Sequence, residues 1–164
     1  MMRLVLSLLL SLIFLFSVSL GHPQPAGAII SQQEEAPGQI LSQSRHTLRD
    51  SSGESWQVIL FKRVKDNRVQ QVDLRLVGFP ETATFIHPQP LTLTTTQGKT
   101  FQASDRFAQK TPAPNVGEYD LKDILLELPT DQGIQLSLLL ESERPTYLTI
   151  PLPVVLEWQE LANF

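Results

Sequence analysis

The chain has 164 residues, 13 of them Lys or Arg and 17 Asp or Glu, for a formal net charge of −4, and it contains no cysteine. That composition excludes a disulfide framework, a thiolate metal site and a cysteine nucleophile. An acidic chain whose basic residues are mostly scattered singly repels phosphate backbones, so nucleic acid is excluded as the main partner.

In chain order, Met1 to Arg3 is a short basic lead, Leu4 to Leu20 is apolar and uncharged, and Gly21 to Ala28 is small and Pro-containing. This is the order of a secretory signal peptide over residues 1–28, with Ala26-Gly27-Ala28 placing the cut after Ala28. An uncleaved N-terminal anchor is the alternative, because an apolar run of this length nearly spans a bilayer. No second long apolar run follows, and no cysteine is present to carry a lipid, so the cleaved product is expected to be soluble. Its charge falls from −4 to −5 with the loss of Arg3.

Residues 29–43 are polar, contain Pro37-Gly38 and show no sustained period, which predicts a flexible or extended leader. Residues 44–164 are expected to form a single β-rich domain. Arg45 to Arg49 alternates and meets the turn formers Asp50 to Glu54, so a first hairpin leads into Trp56-Gln57-Val58-Ile59-Leu60-Phe61. Val72-Asp73-Leu74-Arg75-Leu76-Val77 is the natural partner of that run. Pairing Val58 with Leu76 and Leu60 with Leu74 gathers Trp56, Val58, Leu60, Val72, Leu74 and Leu76 on one face, whereas a slip of one residue turns Asp73 and Arg75 inward. Ile59, Phe61, Val77 and Phe79 make the other face partly apolar, so both strands are expected inside the sheet. If the first hairpin sets Leu48 beside Trp56, His46 falls beside Val58 as a partly buried, hydrogen-bonded histidine.

Beyond Gly78-Phe79-Pro80, Thr82 to Ile86 reads as a short edge strand. Leu91 to Thr95 and Thr100 to Ala103 read as a hairpin across Gln97-Gly98-Lys99. Leu121, Ile124, Leu125 and Leu128 fall at helical spacing between Asp120 and Pro129 and predict a short helix, with a strand through Ile124, Leu126 and Leu128 as the rival. Ile134 to Leu140 is a further strand with a partner in Tyr147 to Ile150. A C-terminal helix over Pro153 to Ala162 buries Val154, Val155, Trp158 and Leu161. The sum is a mainly β fold, an antiparallel β-sandwich or half-open barrel with two short helices late in the chain.

Chemistry is sparse. There is no G-x-S-x-G elbow, no H-E-x-x-H, no calcium-binding loop and no glycine-rich phosphate cradle. Ser44 and His46 share a strand face without a further reason to pair catalytically. His46 and His87 would need a carboxylate to make a zinc site, and His87 is better read as a loop residue. Glu118, Asp120 and Asp123 suit the start of a helix better than an acid–base pair or a calcium site. Trp56 and Trp158 lie on apolar stripes, where a core role outweighs sugar stacking. No catalytic, cofactor-binding or metal-binding residue is therefore assigned. The binding candidates are Lys62, Arg63, Lys65 and Arg68, a basic cluster in the hairpin connection that could meet an acidic protein or lipid headgroups, or simply keep that tip solvated.

PGQ (37–39), SQSRHTLRDSSGESWQVILFK (42–62), LRLVGFP (74–80), HPQPLTLT (87–94), NVGEYDL (115–121) and LEW (156–158) together resemble a family of exported cyanobacterial proteins, domain of unknown function 3122. The resemblance implies an address, the periplasm or the thylakoid lumen, and no activity, cofactor or catalytic residue. The expected function is that of a non-enzymatic binding or assembly protein with a protein partner, possible peripheral membrane association and a place at a membrane-bound complex. A carrier of an apolar small molecule is the alternative and a small hydrolase the third reading. An exposed apolar patch or bare strand edge would favour the first, an internal apolar pocket the second, and converging polar residues in a cleft the third.

Overall fold

A computed structural model describes residues 30–142 and 145–163; the expected signal peptide lies outside the described residues. Among the described residues, nine strands form two antiparallel sheets. The larger has the order β1-β2-β3-β4-β7, from β1 (Ser31–Ala36), β2 (Gln39–Arg49), β3 (Ser55–Lys65), β4 (Arg68–Val77) and β7 (Val116–Asp120). The smaller has the order β6-β5-β8-β9, from β5 (Leu91–Thr95), β6 (Thr100–Ala103), β8 (Ile134–Leu138) and β9 (Thr146–Ile150). One helix, α1 (Leu152–Asn163), follows β9.

The central register is the one the alternation demands: Val58 pairs with Leu76, Leu60 with Leu74, His46 with Val58 and Leu48 with Trp56. Trp56, Val58, Leu60, Val72, Leu74 and Leu76 are all buried and share one cluster with Leu91, Leu93, Ile134, Leu136, Leu148 and Ile150 of the smaller sheet. The inner faces of both sheets thus close on a single core, which α1 completes with Val154, Val155, Trp158 and Leu161. A bridge between Asp50, just past β2, and Leu148 of β9 ties the two sheets together, and another between Phe85 and Leu140 joins segments flanking them.

Several local elements depart from the expected pattern. Of the stretch 29–43, expected as a flexible or extended leader, the described residues from Ser31 on are extended and paired as the β1–β2 hairpin, turning at Pro37 and Gly38, where Gly38 has φ +72°. Backbone pairing supplies what its polar side chains do not. The connection expected over Lys62 to Arg68 shrinks to Asp66 and Asn67, with φ of 49° and 58°, the signature of a tight type I′ hairpin turn. Asp and Asn tolerate that backbone, so β3 and β4 run almost to the tip. Thr82 to Ile86 is no strand; it is a turn with one bridge at Phe85.

The helix expected over 121–128 is also absent, and the fold has one helix late in the chain where two were expected. A single 3-10 turn, Leu125–Glu127, stands there. Between the end of β7 at Asp120 and Pro129 there is room for barely two turns, too few to offset the cost of helix nucleation. Leu121, Leu125 and Leu128 are buried all the same.

Trp56 is the largest side chain of the central strand pair. Its ring meets Phe85 edge-on at 5.7 Å between centroids, and its Nε1–H donates to Asp50 Oδ2 at 2.9 Å. Gly78 lies against it: a Cβ there would sit 2.8 Å from the Trp56 ring and 2.5 Å from Ala83 Cβ. Trp56→Ala is expected to lower the unfolding free energy by about 3 to 5 kcal/mol, and Gly78→Ala by about 1 to 3 kcal/mol through overpacking. Urea denaturation of the two variants beside the parent checks both.

Candidate functional site

The four basic residues singled out from the sequence do not form one patch. Lys62 alternates in phase with Val58 and Leu60 and is buried on the core side of β3, where its Nζ donates to the Ala162 carbonyl at 2.7 Å. It holds the C-terminal end of α1, where a cation favourably meets the open carbonyls. Burial pushes its pKa below the ordinary lysine value. Arg63 is turned to the outer face and engaged, whereas Lys65 and Arg68 are exposed at the hairpin tip.

The engagement of Arg63 belongs to a polar chain that crosses the outer face of the larger sheet. Arg63 Nε donates to Glu35 of β1 at 2.9 Å and its Nη1 to Gln71 of β4 at 2.9 Å. Gln71 in turn donates to Asp73, which also accepts from Arg106 Nε at 3.1 Å, and Arg106 Nη2 reaches Asp120 of β7 at 2.8 Å. Beside this chain, Arg75 Nε donates to Glu118 at 2.6 Å. The guanidinium groups of Arg63 and Arg75 lie 4.9 and 5.3 Å from the Phe61 ring centroid, within cation–π range. With Leu41 and Ile59, Phe61 forms a small second core. The acidic residues near the end of β7 are thus ion-pair partners: Glu118 serves Arg75, and Asp120 serves Arg106 while accepting the Lys122 backbone N–H at 2.9 Å.

Both histidines are tied to carboxylates. His46 Nε2 lies 2.9 Å from Glu157 Oε2, linking β2 to α1, and is partly buried as its register predicts. His87 Nδ1 lies 2.6 Å from Asp105 Oδ2. Asp105 also accepts the backbone N–H groups of Gln89 at 3.2 Å and Phe107 at 2.8 Å, so it clasps two loops together. Trp56 and Trp158 are both buried and offer no face to a sugar. No group of three or more His, Cys, Asp or Glu residues is placed to hold a metal ion among the described residues.

An open apolar groove lies at the end of the β3–β4 pair. Trp56, Val77, Gly78, Phe79 and Pro80 line it together with Thr47, Ser55, Gln57 and Asn115, around a volume of about 390 Å³. Asn115 fixes one wall, donating from Nδ2 to the Gly78 carbonyl at 2.7 Å and accepting the Gly78 N–H at 3.0 Å. Phe79 is 60% exposed at its rim. Phe79 is expected from alternation on the half-buried outer face, and it stands instead at this rim. The visible signal was an aromatic immediately before Pro80, where the strand has already ended and alternation no longer governs direction.

A mainly β domain with two antiparallel sheets, a C-terminal helix and an open apolar groove at one end is the class these features define. The chain belongs to the family described as Protein of unknown function (DUF3122), whose model matches residues 28–161. Neither the comparison with curated proteins nor that with solved structures gives a match.

Asp73 provides a test of the outer-face chain. Its side chain is fully buried, and burial raises its pKa above the ordinary aspartate value against the opposing pull of Gln71 and Arg106. The folded state therefore holds this proton more tightly than the unfolded state, so Asp73 favours folding in acid and loses that contribution as pH rises through its raised pKa. Urea unfolding of the parent and Asp73→Asn between about pH 4 and about pH 8 should show the parent losing stability relative to the variant as pH rises, then levelling. The opposite slope would mean that Arg106 outweighs burial.

Proposed function

We propose that this is an exported, non-enzymatic binding or assembly protein of the cyanobacterial periplasm or thylakoid lumen, built as an open-ended antiparallel β-sandwich and acting at a membrane-bound complex. The observation that supports this reading is the groove of about 390 Å³ with Phe79 60% exposed at its rim. A large aromatic left in water at the edge of an apolar groove costs solvation free energy that a partner's side chain would recover. Aromatic anchors in such positions carry most of the energy of protein interfaces. An extended apolar segment of a partner protein suits the groove better than a carried small molecule, because the groove is open along one side and a small apolar ligand is held best when most of its surface is enclosed.

The test is a comparison of tagged parent, Phe79→Asp and Lys65→Ala after recovery from native membranes, with bound proteins identified by mass spectrometry and the leading candidate then purified and titrated. A partner bound by the parent and Lys65→Ala but weakened at least about tenfold by Phe79→Asp is the expected result, since a buried aromatic anchor is worth about 2 kcal/mol or more. Equal binding by all three would remove the groove from consideration. Export has its own measurement. N-terminal sequencing of the mature protein should begin at Ile29, and an intact Met1 in the membrane fraction would reverse the address.

A further inference from the structure

The outer face of the smaller sheet differs in kind from that of the larger. Its two rows of outward side chains follow from the pairing register. Gln102, Thr92, Ser137 and Tyr147 form one row across β6, β5, β8 and β9, and Thr100, Thr94, Gln135 and Thr149 form the next. All eight carry an uncharged hydroxyl or amide. None of these eight side chains makes a hydrogen bond to another described residue, and each is exposed or partly exposed. Open grooves flank the two rows at opposite ends of the strands, one of about 410 Å³ beside the second row, lined by Thr94, Thr96, Gln135 and Thr149 among others, and one of about 280 Å³ beside the first, lined by Ser137, Thr146 and Tyr147 among others.

We propose that this face binds a neutral polysaccharide. Hydroxyl and amide groups both donate and accept, which matches the alternating donor and acceptor character of a polyol. Tyr147, 39% exposed at the end of one row, supplies a flat apolar plate with a polar tip, suited to a sugar ring. Anionic ligands call for Arg or Lys, and anionic membranes for a basic cluster; this face has neither. A face kept merely solvated would be expected to carry charges, as the opposite outer face does at Glu35, Arg63, Asp73, Arg75, Glu118 and Asp120. Four strands about 4.8 Å apart make each row roughly 14 Å long, enough to lie under more than one sugar ring of a polymer.

This face is a different surface from the Phe79 groove, so variants of one leave the other unchanged. Purified protein is run in native gels containing hydroxyethylcellulose, dextran or galactomannan, with alginate as the anionic comparison. Retardation by at least one neutral polymer is expected, unchanged by added salt. It should be weakened about tenfold by Tyr147→Ala and by Gln135→Glu, and retained by Tyr147→Phe and Phe79→Asp. Circular dichroism of each variant establishes that the exposed substitutions leave the fold intact. Migration unaffected by every neutral polymer, retardation by alginate alone, or retardation insensitive to both Tyr147→Ala and Gln135→Glu would overturn the assignment. So would self-association in sedimentation that Gln135→Glu abolishes, since the face would then be a contact between copies.

Discussion

The pairing of β3 with β4 is the constraint on which the rest of the molecule depends. Because side chains alternate, one register sets Trp56, Val58, Leu60, Val72, Leu74 and Leu76 against the smaller sheet and sends Ile59, Phe61, Asp73 and Arg75 outward. A slip of one residue would exchange the two sets and bury two opposite charges in the main core. The tight turn at Asp66 and Asn67 pairs Lys65 with Arg68 and Val64 with Val69, a register that continued unbroken would set Val58 opposite Arg75; the irregularity between Arg63 and Val64 shifts the pairing by one residue into the register that buries the leucines. Phe85 packing on Trp56 and the close approach of Gly78 to the same ring then fix the end at which the groove opens.

Charge on the outward set is handled by mutual pairing. Asp73 sits opposite Asp120 across β4 and β7, two like charges that would repel. Arg106, brought in by the loop after β6, bonds both and makes the juxtaposition tolerable. The same economy places Phe61 near the guanidinium groups of Arg63 and Arg75, so that apolar surface outside the main core is covered by the stems of charged side chains. The larger sheet therefore has few free charges on its outer face. The uncharged rows of the smaller sheet are a separate solution, with hydrogen-bonding groups that remain unspent.

Much of the fold was legible in the residues, and the limits have identifiable physical causes. The central hairpin, the Leu48–Trp56 register, the β5–β6 and β8–β9 pairs and the buried stripe of α1 were all readable because alternation or helical spacing persisted long enough to exclude other phases. The β1–β2 hairpin was not, because it is held by backbone hydrogen bonds and by polar contacts such as Glu35 with Arg63 of β3, which leave no apolar alternation in the sequence. Helical spacing at 121–128 misled because three leucines reaching the core over one irregular turn match a helix in pattern, while Pro129 and the short segment deny the helix its length. Lys62 was misplaced by its type: a lysine beside Arg63 reads as surface, yet its phase with Val58 and Leu60 pointed inward. Phase was the better guide. The Phe79 groove and the uncharged rows were hidden for a different reason, since both arise from neighbours brought together by pairing between distant strands.

The seam between α1 and the larger sheet shows how polar residues can be spent on closure. β2 turns Ser42, Ser44 and His46 toward the interior, where a strand facing a core would ordinarily place apolar residues. Small serines leave room for a helix that carries Trp158, and His46 and Lys62 then reach Glu157 in mid-helix and the Ala162 carbonyl near its C-terminal end, two separate fixed points. The cost is visible in Ser44 Oγ, Glu157 Oε1 and Trp158 Nε1, which are buried without a partner among the described residues. An all-apolar seam would bury as much surface, but it would constrain the helix less, because apolar contacts are not directional. Two directed contacts fix both the rotation and the axial position of α1, and with them the side-chain stripe that closes the core.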